Sequence, residues 1–298
     1  MTPESPFEPL ETAKQCVASS DDKWVAPSTV NLSDGRHWKP SLSSADGREL
    51  LAILTGDRIL PFLEGRLRTA KADGFGLSVA LSIEALYSEA LLDQLSSLDV
   101  QVLVLDRNGE CWSQAPLLRV LTDAGVLVGP DLRRRLASVA YAECERDVSS
   151  QSRGRRFEGL LGFLFGQTGG LRVVEHNFRT ATEELDLVLQ LDSLDGPRCW
   201  CHLGKPFVLV EAKFWKDPVD QQVISTFHTK LEGKRNAALL GLVFGRNGFT
   251  ADAQTQVIRF SLDEYVMALI GPNELREWID ASNPDDHLEK LVRRAWLA

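Results

Sequence analysis

The chain has 298 residues, a formal net charge of −9 and a sequence pI near 5.2. Apolar residues make up 44% and charged residues 25% of the chain, which excludes collagen-like and wholly disordered proteins. The length allows about two domains. The overall acidity argues against a histone-like polycation but not against a nucleic-acid enzyme, because the charge around the site decides binding. Residues 151–261 hold 14 basic and 12 acidic side chains, and the segments on either side are net acidic.

Cysteine use and the N-terminal sequence predict a cytoplasmic protein. The five cysteines are odd in number and form no regular framework, which is typical of a reducing compartment. The first residues, MTPESPFEPL, lack the basic start and apolar core of a signal peptide. No run of about 18 apolar residues is present, so we expect no contact with a membrane.

The first 150 residues predict a flexible arm followed by a small module. Residues 1–45 are rich in Pro, Ser and Asp and predict a flexible N-terminal arm. Residues 46–150 predict an α/β accessory module, because apolar runs of strand and helix character alternate there. In chain order the patterns predict helices over 48–56 and 57–74, a strand over 76–83, a helix over 84–98, a strand over 99–106 that ends in a DRNG turn, and a helix then a short strand over 113–128, with Gly125 ending that helix. The module contains neither a glycine-rich phosphate loop nor a metal motif, so its ligand or protein partner stays open.

A polar stretch over 143–156 predicts the domain boundary, and Arg133, Arg134 and Arg135 before it predict a solvated helix face. Residues 151–298 then read as a second α/β domain. The patterns predict a helix over 157–167, strands over 170–178, 184–191 and 206–214, a helix over 217–234 and a strand over 237–245. Further along they predict a helix from about 248, a strand over 257–262, and helices over 262–270 and 285–297.

Charged residues interrupt two of these apolar strands. Asp186 lies inside ELDLVLQL, and Glu211 and Lys213 end FVLVEAKF. Residues two apart on a strand share a face, so Glu211 and Lys213 project to the same side, and Asp186 joins them if the two strands are neighbours. Two carboxylates suit a hard cation such as Mg²⁺, for which Mn²⁺ can substitute. Such a cation activates water and polarises a phosphodiester, while the lysine orients water or stabilises charge.

At these residues the sequence resembles the PD-(D/E)xK nuclease superfamily, and within it the Mrr-like restriction endonuclease domains. Asp186 followed by Glu211, Ala212 and Lys213 on the next strand matches the D…(D/E)xK motif, and RRFEGLLGFLF resembles the opening helix with its glutamate, Glu158. The stretches ALLGLVFGRNGFTADAQ and VIRFSLDEYVMALI resemble later elements of these domains. The resemblance covers about 152–298 and implies an αβββαβ core. It departs from the family at Leu185, where a proline is common, at Glu211, where many members carry glutamine, and in the long loop between Asp186 and Glu211.

The resemblance implies a metal-dependent DNA endonuclease that acts in restriction or in defence against foreign DNA. Asp186 and Glu211 would hold Mg²⁺, Lys213 would act on the water or the developing charge, and Glu158 would support the site. Cleavage of both strands with one site per chain favours a homodimer or higher homo-oligomer. Two alternatives stay open: a non-catalytic binding module for nucleic acid or protein on the same scaffold, or a nuclease that acts on RNA or in DNA repair.

Other polar residues receive weaker interpretations. Gln221 and Gln222, on the first turn of the helix after Lys213, could support the lysine or a phosphate. The candidate contacts with the DNA backbone are Lys216, Lys230, Lys234, Arg235 and Arg246. His176 fits a structural role better than a phosphate contact. The run CWCH at Cys199–His202 lacks the ligand spacing of a zinc site and predicts a loop, and we treat the His228-x-Lys230 pattern as chance.

Overall fold

The structure is a computed structural model, and it describes residues 10–105, 111–146, 149–179, 184–192, 198–260 and 264–297. The chain divides into two compact units, Met1–Val128 and Gly129–Ala298. Both units combine helices with a β-sheet, so the predicted α/β class is confirmed. In the described part of the chain, no helix has the length and apolar character needed to cross a bilayer.

The first unit contains four α-helices and eight strands within its described residues. In chain order these are α1 Leu10–Ser20, β1 Trp24–Val25, β2 Val30–Asn31, β3 His37–Trp38, β4 Leu42–Ser44, β5 Glu49–Ile53, α2 Pro61–Ala72, β6 Gly76–Ser82, a 3₁₀ helix Ile83–Tyr87, α3 Glu89–Leu98, β7 Gln101–Leu105, β8 Cys111–Pro116 and α4 Leu117–Asp123. The main sheet has the order β1-β4-β5-β6-β7-β8, and β2 pairs with β3 separately. Strands β5, β6 and β7 are parallel, as the alternation of strand and helix in this region requires.

Three expectations for this unit need correction. The run over 48–56 is strand β5 and not a helix, because a short apolar run buried on both faces has no distinguishing period. In the segment 113–128, residues 113–116 belong to strand β8 rather than to the helix, and the described residues 124–128 form no strand, although Gly125 does adopt the left-handed conformation that ends a helix, with φ of +63°. Of the arm predicted over 1–45, residues 1–9 lie outside the described residues, and residues 10–45 are not a flexible arm, because Val17 and Trp24 are buried in the same cluster as Leu103. The predicted DRNG turn lies outside the described residues.

The second unit carries the predicted core order. Its elements are α5 Pro130–Arg146, α6 Ser150–Gly166, β9 Leu171–Arg179, β10 Glu184–Leu191, a 3₁₀ helix Cys199–Leu203, β11 Phe207–Lys213, α7 Gln221–Gly233, β12 Ala238–Gly245, α8 Ala251–Phe260, β13 Val266–Ile270, α9 Pro272–Asp280 and α10 Pro284–Leu297. The sheet has the order β13-β12-β11-β10-β9. Strands β9, β10 and β11 pair antiparallel, and β11, β12 and β13 pair parallel. The run from α6 to β12 is therefore helix, three strands, helix, strand.

Helices cover both faces of this sheet. On one face Val243 of β12 belongs to a buried cluster with Phe227 of α7 and Ala253 of α8. The next residue, Phe244, points to the other face, where its ring lies 5.8 Å from that of Phe165 of α6. Burial on both faces explains why β11 and β12 read as continuous apolar runs.

Helix α7 lies unusually close to this sheet at Gly241 of β12. A Cβ atom on Gly241 would lie 2.5 Å from Cε1 of Phe227 and 2.8 Å from Cδ1 of Leu231, both on α7. Real side chains do not approach so closely, so glycine at this position allows the helix to reach the sheet.

The second unit begins earlier than the polar stretch predicts. Helix α5 belongs to it, whereas the sequence placed the boundary at about residue 150. Arg133 of α5 is 3% exposed rather than solvated, and its Nη1 atom donates to the carbonyl oxygens of Trp278 at 3.4 Å and Ile279 at 3.2 Å. Burial lowers the pKa of Arg133 to about 10, although Asp285 opposes the shift. A buried arginine that satisfies carbonyl groups near the end of α9 cannot be told from an exposed one by sequence pattern.

The end of the chain also differs from expectation. Residues 257–260 continue helix α8 and do not begin a strand, and Val266–Ile270 is strand β13 rather than a helix. The remainder of those two predicted segments, at 261–263, lies outside the described residues. Helix α9 was not predicted, whereas α10 was.

Candidate active site at the end of strand β11

Two carboxylates lie on neighbouring strands at one end of the sheet. Strands β10 and β11 pair antiparallel with Leu187 opposite Val210, so Asp186 comes next to Glu211 across the pair. The Oδ2 atom of Asp186 accepts a hydrogen bond from the backbone N–H of Ala212 at 2.7 Å. Both carboxylates are buried, with Asp186 8% and Glu211 6% exposed. The expectation that these strands are neighbours and that the carboxylates meet is therefore correct.

Lys213 lies between the two carboxylates. Its Nζ atom is 2.6 Å from Oε1 of Glu211 and 3.5 Å from Oδ2 of Asp186. Burial lowers the pKa of Lys213, but the charges and hydrogen bonds of Asp186 and Glu211 outweigh it, so the net direction is upward. The side chain is therefore held as an ammonium ion.

A second lysine reaches the same carboxylate pair. Lys230 of α7 places its Nζ atom 2.8 Å from Oε2 of Glu211, and it donates to the carbonyl oxygen of Glu184 at 2.7 Å. The sequence interpretation placed this residue among contacts with the DNA backbone. The structure instead places its ammonium group against the buried carboxylate of Glu211, and the group donates to that carboxylate and to the carbonyl oxygen of Glu184.

The charge on Asp186 is unfavourable in this setting. Burial raises the pKa of Asp186, and the neighbouring Glu211 charge raises it further, while Lys213 and the Ala212 N–H oppose the change. Two like charges held this close in a desolvated site are stabilised by any cation that approaches them.

Glu158 of α6 also lies beside these residues. Burial raises the pKa of Glu158, and the charge on Asp186 adds to the effect, while a side-chain hydrogen bond with Asn177 and the charge on Lys213 lower it. Asn177 of β9 has a φ of +52°, a left-handed conformation that asparagine tolerates better than most residues. It lies between His176 and Phe178, which pair with Leu187 and Leu185, so it faces the Asp186 position across the strands.

The remaining sequence candidates divide into two groups. Gln221 donates from Nε2 to Oε1 of Gln256 at 3.1 Å on α8, so its amide has a partner other than the lysine, and Gln222 is exposed. Arg246 lies 3.8 Å from Glu145 and its backbone N–H donates to the carbonyl oxygen of Lys213. The exposed or half-buried cations that stay candidates for phosphate contacts are Lys216, Lys234 and Arg235.

Three cysteine- and histidine-based motifs take structural positions. His176 packs against α6, where a Cβ on Gly162 would lie 2.6 Å from its Cε1 atom. His228 stacks on Phe260 with ring centroids 3.8 Å apart. Cys199 and Cys201 are buried in a 3₁₀ helix rather than an open loop, and the backbone N–H of Cys199 donates to Glu289.

The carboxylate pair fits a divalent cation in its donor chemistry. Among the described residues, no group of three or more His, Cys, Asp or Glu side chains is arranged to hold a metal ion. Mg²⁺ does not require one, because it commonly uses one or two carboxylates together with water and substrate phosphates. Asp186 and Glu211 offer hard oxygen donors. Burial, and after it the charge on Glu211, raise the pKa of Asp186, and a cation would relieve the contact between the two like charges.

Two residues of the site are not predicted from the sequence. Asn177 has no distinguishing sequence pattern, because only its backbone conformation and its hydrogen bond with Glu158 set it apart. Trp215, two residues after Lys213, is 48% exposed, and Nζ of Lys213 lies 5.6 Å from its ring centroid. Its position directly after the motif could have marked it as part of the rim of the site.

Comparison with known proteins yields one family match. Residues 150–279 match the family model described as restriction endonuclease, Mrr_cat. No match is found among curated proteins. Among solved structures, protein VC1899 from Vibrio cholerae is similar over 78% of this chain and 80% of its own, at 12% sequence identity and a TM-score of 0.30.

Proposed function

We propose that this chain, whose residues 150–279 match the restriction endonuclease family model Mrr_cat, hydrolyses phosphodiester bonds of DNA with the help of a divalent cation. The observation that carries the proposal is the position of Lys213, whose ammonium group contacts both buried carboxylates. A surface ion pair on an edge strand would not bury two carboxylates and a lysine together, because desolvation of these groups is costly.

Asp186 and Glu211 would hold the cation, with Mg²⁺ the natural choice and Mn²⁺ a substitute. When bound, the cation would supply Lewis-acid stabilisation of the charge that develops on the phosphate. The ammonium group of Lys213, which contacts both carboxylates, would stabilise the same charge. Glu158, with its raised pKa, would accept a proton or a hydrogen bond from the attacking water at the rim of the site.

The bond changes follow from hydrolysis of a diester. The oxygen of a water molecule forms a new bond to phosphorus in line with the leaving group, and the bond from phosphorus to the 3′ oxygen breaks. The water loses one proton and the 3′ oxygen gains one, so the products are a 5′ phosphate and a 3′ hydroxyl.

The test incubates the purified full-length protein with supercoiled plasmid in Mg²⁺ or Mn²⁺, with an EDTA control. Nicked or linear plasmid should form with the metal and not with EDTA. Equal cutting in EDTA would contradict the metal-dependent mechanism. A folded, DNA-binding protein that cuts nothing with either metal would favour a non-catalytic binding module. Replacing the plasmid with RNA of matched sequence separates the two substrate classes.

The biological setting we propose is restriction or defence against foreign DNA, which rests on the family alone. Double-strand cleavage by one site per chain would require two chains to act together. Sedimentation of the protein with and without a DNA duplex tests this, and a species that stays monomeric on DNA while cutting both strands would contradict it.

A further inference from the structure

Lys230 contacts the candidate active site although it lies outside the sequence motif. It is on helix α7, one position before Leu231 and three after Phe227, both of which are fully buried against the sheet. Its side chain is 14% exposed. From the helix it spans to two strands, with Nζ 2.8 Å from Oε2 of Glu211 on β11 and 2.7 Å from the carbonyl oxygen of Glu184 on β10.

Each oxygen of Glu211 has its own ammonium group. Oε1 lies 2.6 Å from Lys213 and Oε2 lies 2.8 Å from Lys230. The terminal torsion of a glutamate is soft and takes a broad range of angles when nothing restrains it. Contacts at both oxygens fix the plane of the carboxylate, and the bond from Lys230 to Glu184 anchors the second contact to the sheet.

The charges of the four groups are balanced. Asp186 and Glu211 carry two negative charges, and Lys213 and Lys230 carry two positive charges in the same partly desolvated space. Removal of the Lys230 charge would leave these four groups net negative, which strengthens their attraction for a cation. It would also release one oxygen of Glu211, which weakens the alignment on which the chemistry depends.

We infer that Lys230 is a positioning residue that fixes the Glu211 carboxylate and limits the affinity of the Asp186–Glu211 pair for a divalent cation. This inference rests on the proposed metal site. It assigns Lys230 a role distinct from contact with the DNA backbone, because such a contact would change the affinity for DNA and its salt dependence rather than the affinity for the metal.

The experiment compares Lys230→Met and Lys230→Arg with wild type in the full-length protein. Calorimetry measures Mn²⁺ binding without DNA, and steady-state kinetics separate kcat from KM for DNA. Lys230→Met should bind Mn²⁺ roughly three- to tenfold more tightly, because one nearby positive charge is gone. Its kcat should fall about tenfold or more with KM nearly unchanged. Lys230→Arg keeps the charge and should retain the wild-type Mn²⁺ affinity and most of kcat.

Lys290→Met provides a matched control, because Lys290 is an exposed lysine on α10 of the same unit. It should change neither Mn²⁺ affinity nor kcat. Wild-type or weaker Mn²⁺ binding by Lys230→Met would overturn the inference, as would a raised KM with unchanged kcat. If wild type binds Mn²⁺ but does not cleave, the proposed reaction fails while the affinity comparison still stands. If wild type binds no Mn²⁺, the inference fails together with the metal site.

A second comparison applies if Lys230→Met does not fold. The pair Glu211→Gln and Glu211→Gln/Lys230→Met removes the carboxylate charge that Lys230 balances. The double variant should then fold, with a melting temperature close to that of Glu211→Gln. A double variant that also fails to fold would overturn the pairing of Lys230 with Glu211.

Discussion

The Nζ atom of Lys213 lies 2.6 Å from Oε1 of Glu211, a residue on the same face of the same strand. That contact, together with Asp186 at 3.5 Å, raises the pKa of Lys213 against the opposing effect of burial. In this state the lysine is a donor and a positive charge rather than a base. In the proposed reaction, its surroundings therefore favour stabilisation of the charge that develops on the phosphate.

Lys213→Ala should abolish plasmid cleavage while DNA binding is largely kept, and it should also lower the free energy of unfolding, because two buried carboxylates lose an ammonium partner. Groups that transfer protons or stabilise charge in the transition state are each worth about 10²–10⁴-fold in rate. A surface salt bridge would instead cost about 0–1 kcal/mol of stability and leave the rate unchanged. Single-turnover cleavage with saturating protein measures the difference, and wild-type rates from Lys213→Ala would defeat the assignment of the site.

Asp186→Ala and Glu211→Ala should lose as much activity as Lys213→Ala, and they should also lose affinity for metal. The two side chains supply the oxygen donors of the proposed site, whereas the lysine supplies none. Calorimetry with Mn²⁺ or Ca²⁺ distinguishes the two classes of variant. Undiminished metal binding after both carboxylates are removed would place the cation elsewhere.

Glu158→Gln should change how the stability of the second unit depends on pH. Burial and the charge on Asp186 raise the pKa of Glu158 above its ordinary value of 4.5. The folded protein thus binds this proton more tightly than the unfolded chain, and the resulting stability is present below pH 4.5 and is lost as pH rises through the folded pKa. In EDTA, the melting temperature of Glu158→Gln should rise relative to wild type as pH increases across that window. A constant difference between the two proteins would contradict the raised pKa.

Asn177→Gly tests the same raised pKa of Glu158 in the opposite way, by removing a contact that lowers it. Glycine accepts the φ of +52° at this position but removes the side-chain hydrogen bond to Glu158. Because this hydrogen bond lowers the pKa of Glu158, its loss should move the window to higher pH.

A fragment spanning 129–298 should fold on its own, whereas one spanning 151–298 should be markedly less stable. The shorter fragment lacks α5, whose Leu132, Leu136 and Tyr141 are buried and whose Arg133 donates to carbonyl groups near the end of α9. Hydrogen bonds from charged groups contribute about 1.5–3 kcal/mol each, and buried leucines add to this. Urea denaturation followed by circular dichroism compares the two. Equal urea midpoints for the two fragments would show that α5 does not stabilise the second unit and would support a domain boundary near residue 150.

Much of the second unit could be predicted from its sequence, because buried strands and amphipathic helices have clear patterns there. Asp186, Glu211 and Lys213 were identified since each interrupts an apolar strand. Two strands were wrongly predicted as helices, and both are short apolar runs. Glu49–Ile53 and Val266–Ile270 are both five-residue strands buried in sheets, and a run of that length has no period that separates strand from helix.

The residues that complete the site could not be found by pattern. Lys230 lies on an amphipathic helix where a lysine is ordinary, and only the packing of α7 brings it to Glu211. Arg133 stands in a run of three arginines that reads as a solvated face, yet it is buried against Trp278. Asn177 depends on a local backbone conformation that strand alternation does not encode. In each case the tertiary neighbour, and not the local sequence, determines the role.

Gly241 of β12 affects the candidate site through helix α7. Because it has no side chain, α7 settles deep enough for a lysine on that helix to span to the strand that carries Glu211. A larger residue there would displace Phe227 and Leu231 of α7, and the Glu211 carboxylate would lose its contact with Lys230 although the motif itself was unchanged. A substitution at 241 would therefore lower the activity of the proposed nuclease while Asp186, Glu211 and Lys213 remained in place, so an intact D…ExK motif does not by itself establish full activity.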